Sequence, residues 1–229
     1  MSKSLCIKRI VKDVSDLEKN NLESHNIFFH TVDDDIYKLK VLIIGTNDTP
    51  YQNGFYFFDI TIPEDYPFAP PKVKFCTCNN KTRFNPNLYV DGKVCLSLIN
   101  TWSGPKWTSI MDITTVLLTI QSLLDNNPLH HEPGQEKNNT NTNTLYNDII
   151  KYESLNTLLL KNYMDTEGIF LNFKEDMEKE INKIGKIKLI DYIKDFCSKN
   201  NDSMVTMPIY RINTKLSYST LFQNIKKLN

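Results

Sequence analysis

Cys95 is the residue whose type and surroundings point most directly to chemistry. It follows two turn signals, Asn85-Pro86-Asn87 and Asp91-Gly92, in a segment without helical or strand spacing. A cysteine displayed on a structured loop can act as a nucleophile, because the thiolate needs partial exposure and a polar setting. An Asn amide placed nearby can donate a hydrogen bond to the oxyanion that forms when an acyl group is attacked.

The plainer interpretation of Cys95 is that it is one of five scattered cysteines with a structural role. An odd number of scattered cysteines favours a reducing cytoplasmic or nuclear compartment over a disulfide framework. Cys76 and Cys78 stand two apart on a predicted strand. Because a zinc site needs about four ligands, the sequence predicts no metal site.

Composition excludes several classes of protein. The 229 residues carry 27 basic and 27 acidic side chains, so we expect no role in coating nucleic acid or an anionic membrane. Hydrophobic residues make up 40% of the chain, which is enough for a folded core. The apolar runs are far shorter than a membrane span, and the N-terminal segment lacks the continuous apolar stretch of a secretory signal.

Periodicity indicates which elements position Cys95. Residues 5–19 carry apolar side chains at helical spacing, among them Val11. Four β-rich runs follow, and their short connections favour an antiparallel meander. An irregular segment, 79–108, then precedes the densest helical stripe, 113–124, for which Ser109 and Asp112 form a plausible capping pair. The four runs cover residues 26–32, 37–44, 55–62 and 73–78.

The C-terminal part is predicted to be mostly helical. The Asn-Thr run at 137–144 is typical of a polar surface insertion, and helical patterns follow at 145–164 and 169–197. A stripe that begins with Phe170 and Phe173 favours packing on the chain's own core, with partner binding as the alternative. Residues 207–212 could be extended, and 219–228 could form a terminal helix.

Several motifs together resemble the ubiquitin-conjugating enzyme family. The Pro-rich segment 63–75 is similar to a family signature, and Cys95 lies eight residues after Asn87 of Asn85-Pro86-Asn87. Trp107 precedes the central helix, as it does in the family. The resemblance covers roughly residues 1–165, and segments 101–107 and 127–134 are most similar to the long "Z"-type class with a C-terminal extension.

The resemblance implies an α+β fold in which residues 1–165 form the ubiquitin-conjugating catalytic core and 166–229 a mostly helical extension. The core has an N-terminal helix, a four-stranded antiparallel meander, an active-site loop, a central helix and C-terminal helices. Cys95 would accept ubiquitin or a ubiquitin-like protein from an activating enzyme as a thioester. The transferase would then pass it to a lysine of a protein substrate or to a ubiquitin ligase, without a cofactor.

The same resemblance implies roles for further residues. Asn87 matches the family's oxyanion-related Asn, although its amide could mainly brace the loop. His130 stands where many members carry an acidic residue, and it could either accept a proton or be an exposed histidine without a role. Asn85 departs from the usual His of the motif, which is considered structural.

Surface residues on the first helix and two loops are implied to bind partners. Lys8 and Lys12 match the face that docks the activating enzyme, with Arg9 beside them, although a solvated helix face is the alternative. Phe68 matches a ligase-contact position but could also pack inward. Ser109 and Ile110 stand in the second ligase-contact loop and depart from the usual Pro-Ala.

Three functions remain open on the sequence alone. The first is an active conjugating enzyme. The second is a non-catalytic binding module on the same fold, against which the presence of Cys95 argues and in favour of which Asn85 counts. The third is a scaffold in which the extension does the main work.

Overall fold

A computed structural model describes residues 3–33, 35–77, 79–137, 140–161, 163 and 168–228. Its centre is an antiparallel sheet in which each strand pairs with the next along the chain, so the predicted meander is confirmed. The strands are β1 (Ile27–Val32), β2 (Asp35–Ile44), β3 (Phe55–Thr61) and β4 (Lys72–Phe75). Cys76 therefore lies just beyond β4, and Cys78 lies outside the described residues.

Two helices pack with this sheet. Helix α1 (Lys3–Lys19) buries Cys6, Ile10 and Leu17, whereas Val11 of the predicted apolar stripe is exposed. Helix α2 (Ile113–Ser122) buries its predicted stripe and begins later than the proposed capping pair implies. Its cap is Asp112 alone, whose carboxylate accepts a hydrogen bond from the Thr115 N–H at 2.8 Å.

The C-terminal part is helical with one hairpin. Helix α3 (Asn141–Glu153) begins inside the Asn-Thr run, so the prediction of a surface insertion is wrong for 141–144, while Asn138 and Asn139 lie outside the described residues. Thr140 caps this helix by accepting the Thr142 N–H. The next elements are a π-helical segment (Ser154–Lys161), a 3-10 segment (Gly168–Phe173), α4 (Lys174–Ile184), α5 (Lys186–Ser198), β5 (Ser203–Met207), β6 (Ile212–Leu216) and α6 (Tyr218–Asn224).

The extension covers one face of the sheet. Phe57 of β3 stacks on Phe170, with ring centroids 4.7 Å apart, and lies 5.7 Å from the Phe173 ring. The alternate side chains Tyr56 and Phe58 face the core, where both pack against Phe75. Both faces of β3 are thus covered by aromatic side chains.

Core and extension belong to one hydrophobic cluster, which includes Met177 and Ile181 of α4. The boundary between 165 and 166 stays a prediction, because residues 164–167 lie outside the described part. Within the described ranges, no helix combines the length and the apolar character that a membrane crossing requires.

Candidate active site

Asn85 is fully buried and anchors the turn that precedes Cys95. Its Nδ2 donates hydrogen bonds to the Tyr51 hydroxyl and to the Leu123 carbonyl, both at 2.9 Å. Its Oδ1 accepts the N–H of Asn87 at 2.9 Å. Because both kinds of polar atom in the amide have partners, Asn at this position performs a structural role in place of the usual His.

Asn87 holds the backbone of Cys95 on two sides. The Cys95 N–H donates to the Asn87 carbonyl at 2.9 Å, and the Asn87 Nδ2 donates to the Cys95 carbonyl at 2.6 Å. The loop-bracing role of Asn87 is therefore directly visible. Its Oδ1 is buried and has no hydrogen-bond partner in the described part of the chain.

The Cys95 side chain is 2% exposed. Val94 and Leu96 on either side belong to the contiguous hydrophobic cluster, whereas Cys95 does not. The expectation of a partly exposed thiol is thus wrong for this conformation.

The segment that follows Cys95 folds back onto the residues on either side of it. The Thr101 hydroxyl accepts the Leu96 N–H at 2.9 Å and donates to the Val94 carbonyl at 2.8 Å. A Cβ added at Gly104, where φ is +126°, would lie 3.0 Å from the Cβ of Ser97. Glycine at 104 therefore lets this exposed segment lie directly on the residues after Cys95.

The other described thiols are in settings that disfavour the thiolate. Burial raises the pKa of Cys76 and of Cys197 to about 11. Burial, followed by the charge of Asp65, also raises the pKa of Cys6. Since the thiolate is the nucleophile, these three cysteines are poor candidates for acyl transfer at neutral pH.

His130 lies in the short 3-10 turn Pro128–His131 and is partly buried. Its backbone N–H donates to the Asn127 carbonyl at 2.9 Å. The neighbouring His131 pairs with Asp125 through Nε2 and Oδ2 at 3.2 Å. Burial opposes ionisation of Asp125, but His131, the Asn127 N–H and the charge of His130 together hold its pKa below the usual range. The turn thus combines two histidines with an ionised carboxylate.

The predicted partner-binding residues are all at the surface. Phe68 is 65% exposed and Ile110 is 88% exposed, so the alternative that Phe68 packs inward is wrong. Lys8, Lys12 and Ser109 are also exposed. An exposed pair of large apolar side chains on adjoining loops is a plausible anchor for another protein.

Arg9 does not belong to the free basic face beside Lys8. Its guanidinium donates to the Ser109 carbonyl at 2.8 Å and to the Met111 carbonyl at 2.6 Å. It also pairs with the buried Asp13, which accepts a hydrogen bond from the Tyr66 hydroxyl. Arg9 therefore fixes the Ser109 loop to α1.

Trp107, just before Ser109, joins the two loops, since its Nε1 donates to the Pro67 carbonyl at 2.6 Å. This bond holds the loop of Phe68 in place.

Three residues important to the site were not predicted, namely Tyr51, Arg83 and Thr101. The Arg83 guanidinium donates to the Pro86 carbonyl and lies 3.7 Å from the centroid of the Tyr89 ring. Arg83 is one of three Arg in the chain, and this rarity inside the motif segment was an available signal. No local pattern marks Tyr51 or Thr101, because their partners are defined by the fold.

Within the described residues, no group of three or more His, Cys, Asp or Glu side chains is placed to hold a metal ion.

Comparison with known proteins gives the family. The sequence profile described as ubiquitin-conjugating enzyme matches residues 9–153. Human ubiquitin-conjugating enzyme E2 Z is 42% identical over 152 residues, which cover 66% of this chain and 42% of that protein. The expected similarity to the "Z"-type class is thus confirmed, although this chain spans less than half the length of that relative.

Two further proteins support the assignment. Human BIRC6, described as a dual E2 ubiquitin-conjugating enzyme/E3 ubiquitin-protein ligase, is 45% identical over 120 residues, half of this chain and 2% of that protein. The E2 domain of a Toxoplasma gondii ubiquitin conjugating enzyme is 26% identical with a TM-score of 0.51, covering 66% of this chain and 97% of the domain. The chain belongs to the ubiquitin-conjugating enzyme family.

Proposed function

We propose that this chain carries ubiquitin or a ubiquitin-like protein on Cys95. The Cys95 thiolate attacks the thioester that the carrier forms with an activating enzyme, so that a new C–S bond forms and the enzyme's thiolate leaves. A substrate lysine amine or a ligase cysteine then attacks the new thioester. The bond to Cys95 breaks, the thiolate is regenerated, and the amine proton passes to solvent or to a nearby base.

The observation that carries this proposal is the pair of hydrogen bonds between Asn87 and the backbone of Cys95. These bonds fix the thiol-bearing residue next to an amide in a chain of the ubiquitin-conjugating family. The raised pKa of the other described cysteines points to the same residue. We further propose that Asn87 stabilises the oxyanion and that His130 accepts the amine proton.

One observation favours a second candidate, the non-catalytic binding module. The Cys95 side chain is only 2% exposed, and a carrier that must form a thioester needs access to the sulfur. The replacement of the usual His by Asn85 does not strengthen this alternative, because Asn85 fulfils the structural role.

A charging experiment separates the two candidates. The protein is mixed with activating enzyme, ATP and ubiquitin, and we expect an adduct that thiol reductant removes. Cys95→Ser should give a reductant-resistant oxyester or no adduct. Cys76→Ser is the matched control, because this thiol is partly buried and its pKa is raised, and it should charge like the wild type.

Two results would contradict the proposal. If no labile adduct forms with any carrier and activating-enzyme pair tried, the binding module is the better description. If a folded Cys76→Ser or Cys197→Ser variant loses charging while Cys95→Ser keeps it, the site is assigned to the wrong residue.

The partner surfaces are proposed on the exposed residues described above. Lys8 and Lys12 on α1 offer two positive charges to the activating enzyme, without the contribution of Arg9. Phe68 and Ile110, with Ser109 beside them, offer an apolar contact to a ligase. The compartment that we propose is the cytoplasm or the nucleus, where the four described free cysteines would stay reduced.

A further inference from the structure

Tyr210 lies at the tip of the β5–β6 hairpin and reaches back to the candidate active site. It ends the short turn Pro208–Tyr210, outside the range that the family profile matches. Its ring centroid is 5.4 Å from that of Tyr146, and it is partly buried. The residue is thus a feature of the extension that touches the core.

One side of Tyr210 faces the turn that holds Asn87. The Arg83 guanidinium lies 4.7 Å from the Tyr210 ring centroid and 3.7 Å from that of Tyr89. The same guanidinium donates to the Pro86 carbonyl. A cation in contact with two aromatic rings is restricted in orientation, so Tyr210 helps to fix the turn at 85–87.

The hydroxyl of Tyr210 reaches the turn that carries His130. It donates to Oε2 of Glu132 at 2.9 Å, and the Glu132 N–H in turn donates to the Leu129 carbonyl at 3.0 Å. Burial and the neighbouring carboxylate raise the pKa of Tyr210, so the hydroxyl keeps its proton and remains a donor.

We propose that Tyr210 is a positioning residue for acyl transfer. It joins the turn at 85–87, which holds Cys95, to the turn of His130, so that the extension takes part in setting the geometry of the site. The inference rests on the proposed thioester chemistry at Cys95. Tyr210 does not itself touch the reacting atoms; it acts through Arg83 and Glu132.

Single-turnover discharge of the full-length chain tests the proposal. The wild type and the variants are charged with ubiquitin, the activating enzyme is stopped, and loss of the thioester to free lysine is followed. Tyr210→Phe removes only the bond to Glu132 and should slow discharge about 3- to 10-fold, the effect of one ordinary hydrogen bond. Glu132→Ala should slow discharge by a similar factor. Because both substitutions remove the same hydrogen bond, the double variant should discharge no more slowly than the slower of the two single variants.

Tyr152→Phe is the matched control. The Tyr152 hydroxyl also joins core to extension, through the Ser217 carbonyl at 3.4 Å, but this bond lies at the start of α6 and not at the site. We expect Tyr152→Phe to discharge within about twofold of the wild type. A variant that is merely less stable would charge to a smaller extent and then discharge at the wild-type rate constant.

The outcomes distinguish this inference from the proposed function. If the wild type and Cys95→Ser show no difference in charging, the proposed function fails and the inference fails with it. If charging depends on Cys95 but Tyr210→Phe discharges at the rate of Tyr152→Phe, only the positioning role is overturned. Additive effects of Tyr210→Phe and Glu132→Ala would likewise overturn it, since two residues in one contact must be coupled.

Discussion

Replacing Asn85 tests how the candidate site is built. Asn85→Ala removes the donor that serves the Tyr51 hydroxyl and the Leu123 carbonyl, and the acceptor that serves the Asn87 N–H. All of these bonds are made by a side chain that is fully buried. The substitution therefore leaves polar groups without partners in a place that water does not reach.

The magnitude follows from the number of bonds. A hydrogen bond contributes about 0.5–1.5 kcal/mol net, so the loss of these bonds should lower the free energy of unfolding by about 2–4 kcal/mol. At about 2–4 °C per kcal/mol for a chain of this size, the melting temperature should fall by roughly 4–16 °C. Asn85→His should lower the free energy of unfolding by less, about 1–2 kcal/mol. A neutral imidazole has one N–H and cannot donate to both the Tyr51 hydroxyl and the Leu123 carbonyl.

Urea or thermal unfolding measures both variants. Asn47→Ala serves as the control, because this Asn is exposed and its replacement should change the free energy of unfolding by less than about 0.5 kcal/mol. If Asn85→Ala were as stable as Asn47→Ala, the buried amide would contribute nothing and the structural explanation for Asn at this position would be refuted. A more stable Asn85→His variant would contradict it as well.

Two further predictions concern the chemistry at Cys95. Asn87→Ala should slow discharge to lysine more than loading, because its amide is proposed to stabilise the oxyanion. We expect discharge to slow by on the order of 10²-fold. Equal slowing of both steps in single-turnover assays would leave Asn87 only the role of bracing the loop. His130→Ala should shift the pH dependence of the discharge rate, because the group proposed to accept the amine proton is removed. The exposed His25 provides the control, and a His130→Ala profile that coincides with that of His25→Ala would remove His130 from the mechanism.

The sheet and the central helix were predictable because their signals are local. Strand β3 alternates apolar side chains on both faces, and α2 buries residues at helical spacing. The hairpin of β5 and β6 was missed, although Ile212, Thr214 and Leu216 alternate as a strand does. A single short strand of this kind is ambiguous until its partner is known, and β5 offers mostly exposed side chains.

Features of the site that depend on distant contacts were not predictable. The resemblance places Arg9 beside the basic face of Lys8 and Lys12, but its guanidinium donates to carbonyls about a hundred residues away in sequence. The burial of Cys95 has the same origin, because it depends on how the whole loop folds and not on the residues next to it in sequence. The Asn-Thr run was misjudged because composition alone does not show that Tyr146 and Ile149 anchor the helix it begins.

The packing of Phe57 against Phe170 and Phe173 has a consequence for truncated versions of this protein. A chain that ended before the 3-10 segment Gly168–Phe173 would expose the aromatic face of the sheet that Phe170 and Phe173 cover. Exposed apolar surfaces of this kind associate with one another. We therefore expect such a fragment to aggregate even though every strand of the meander is intact.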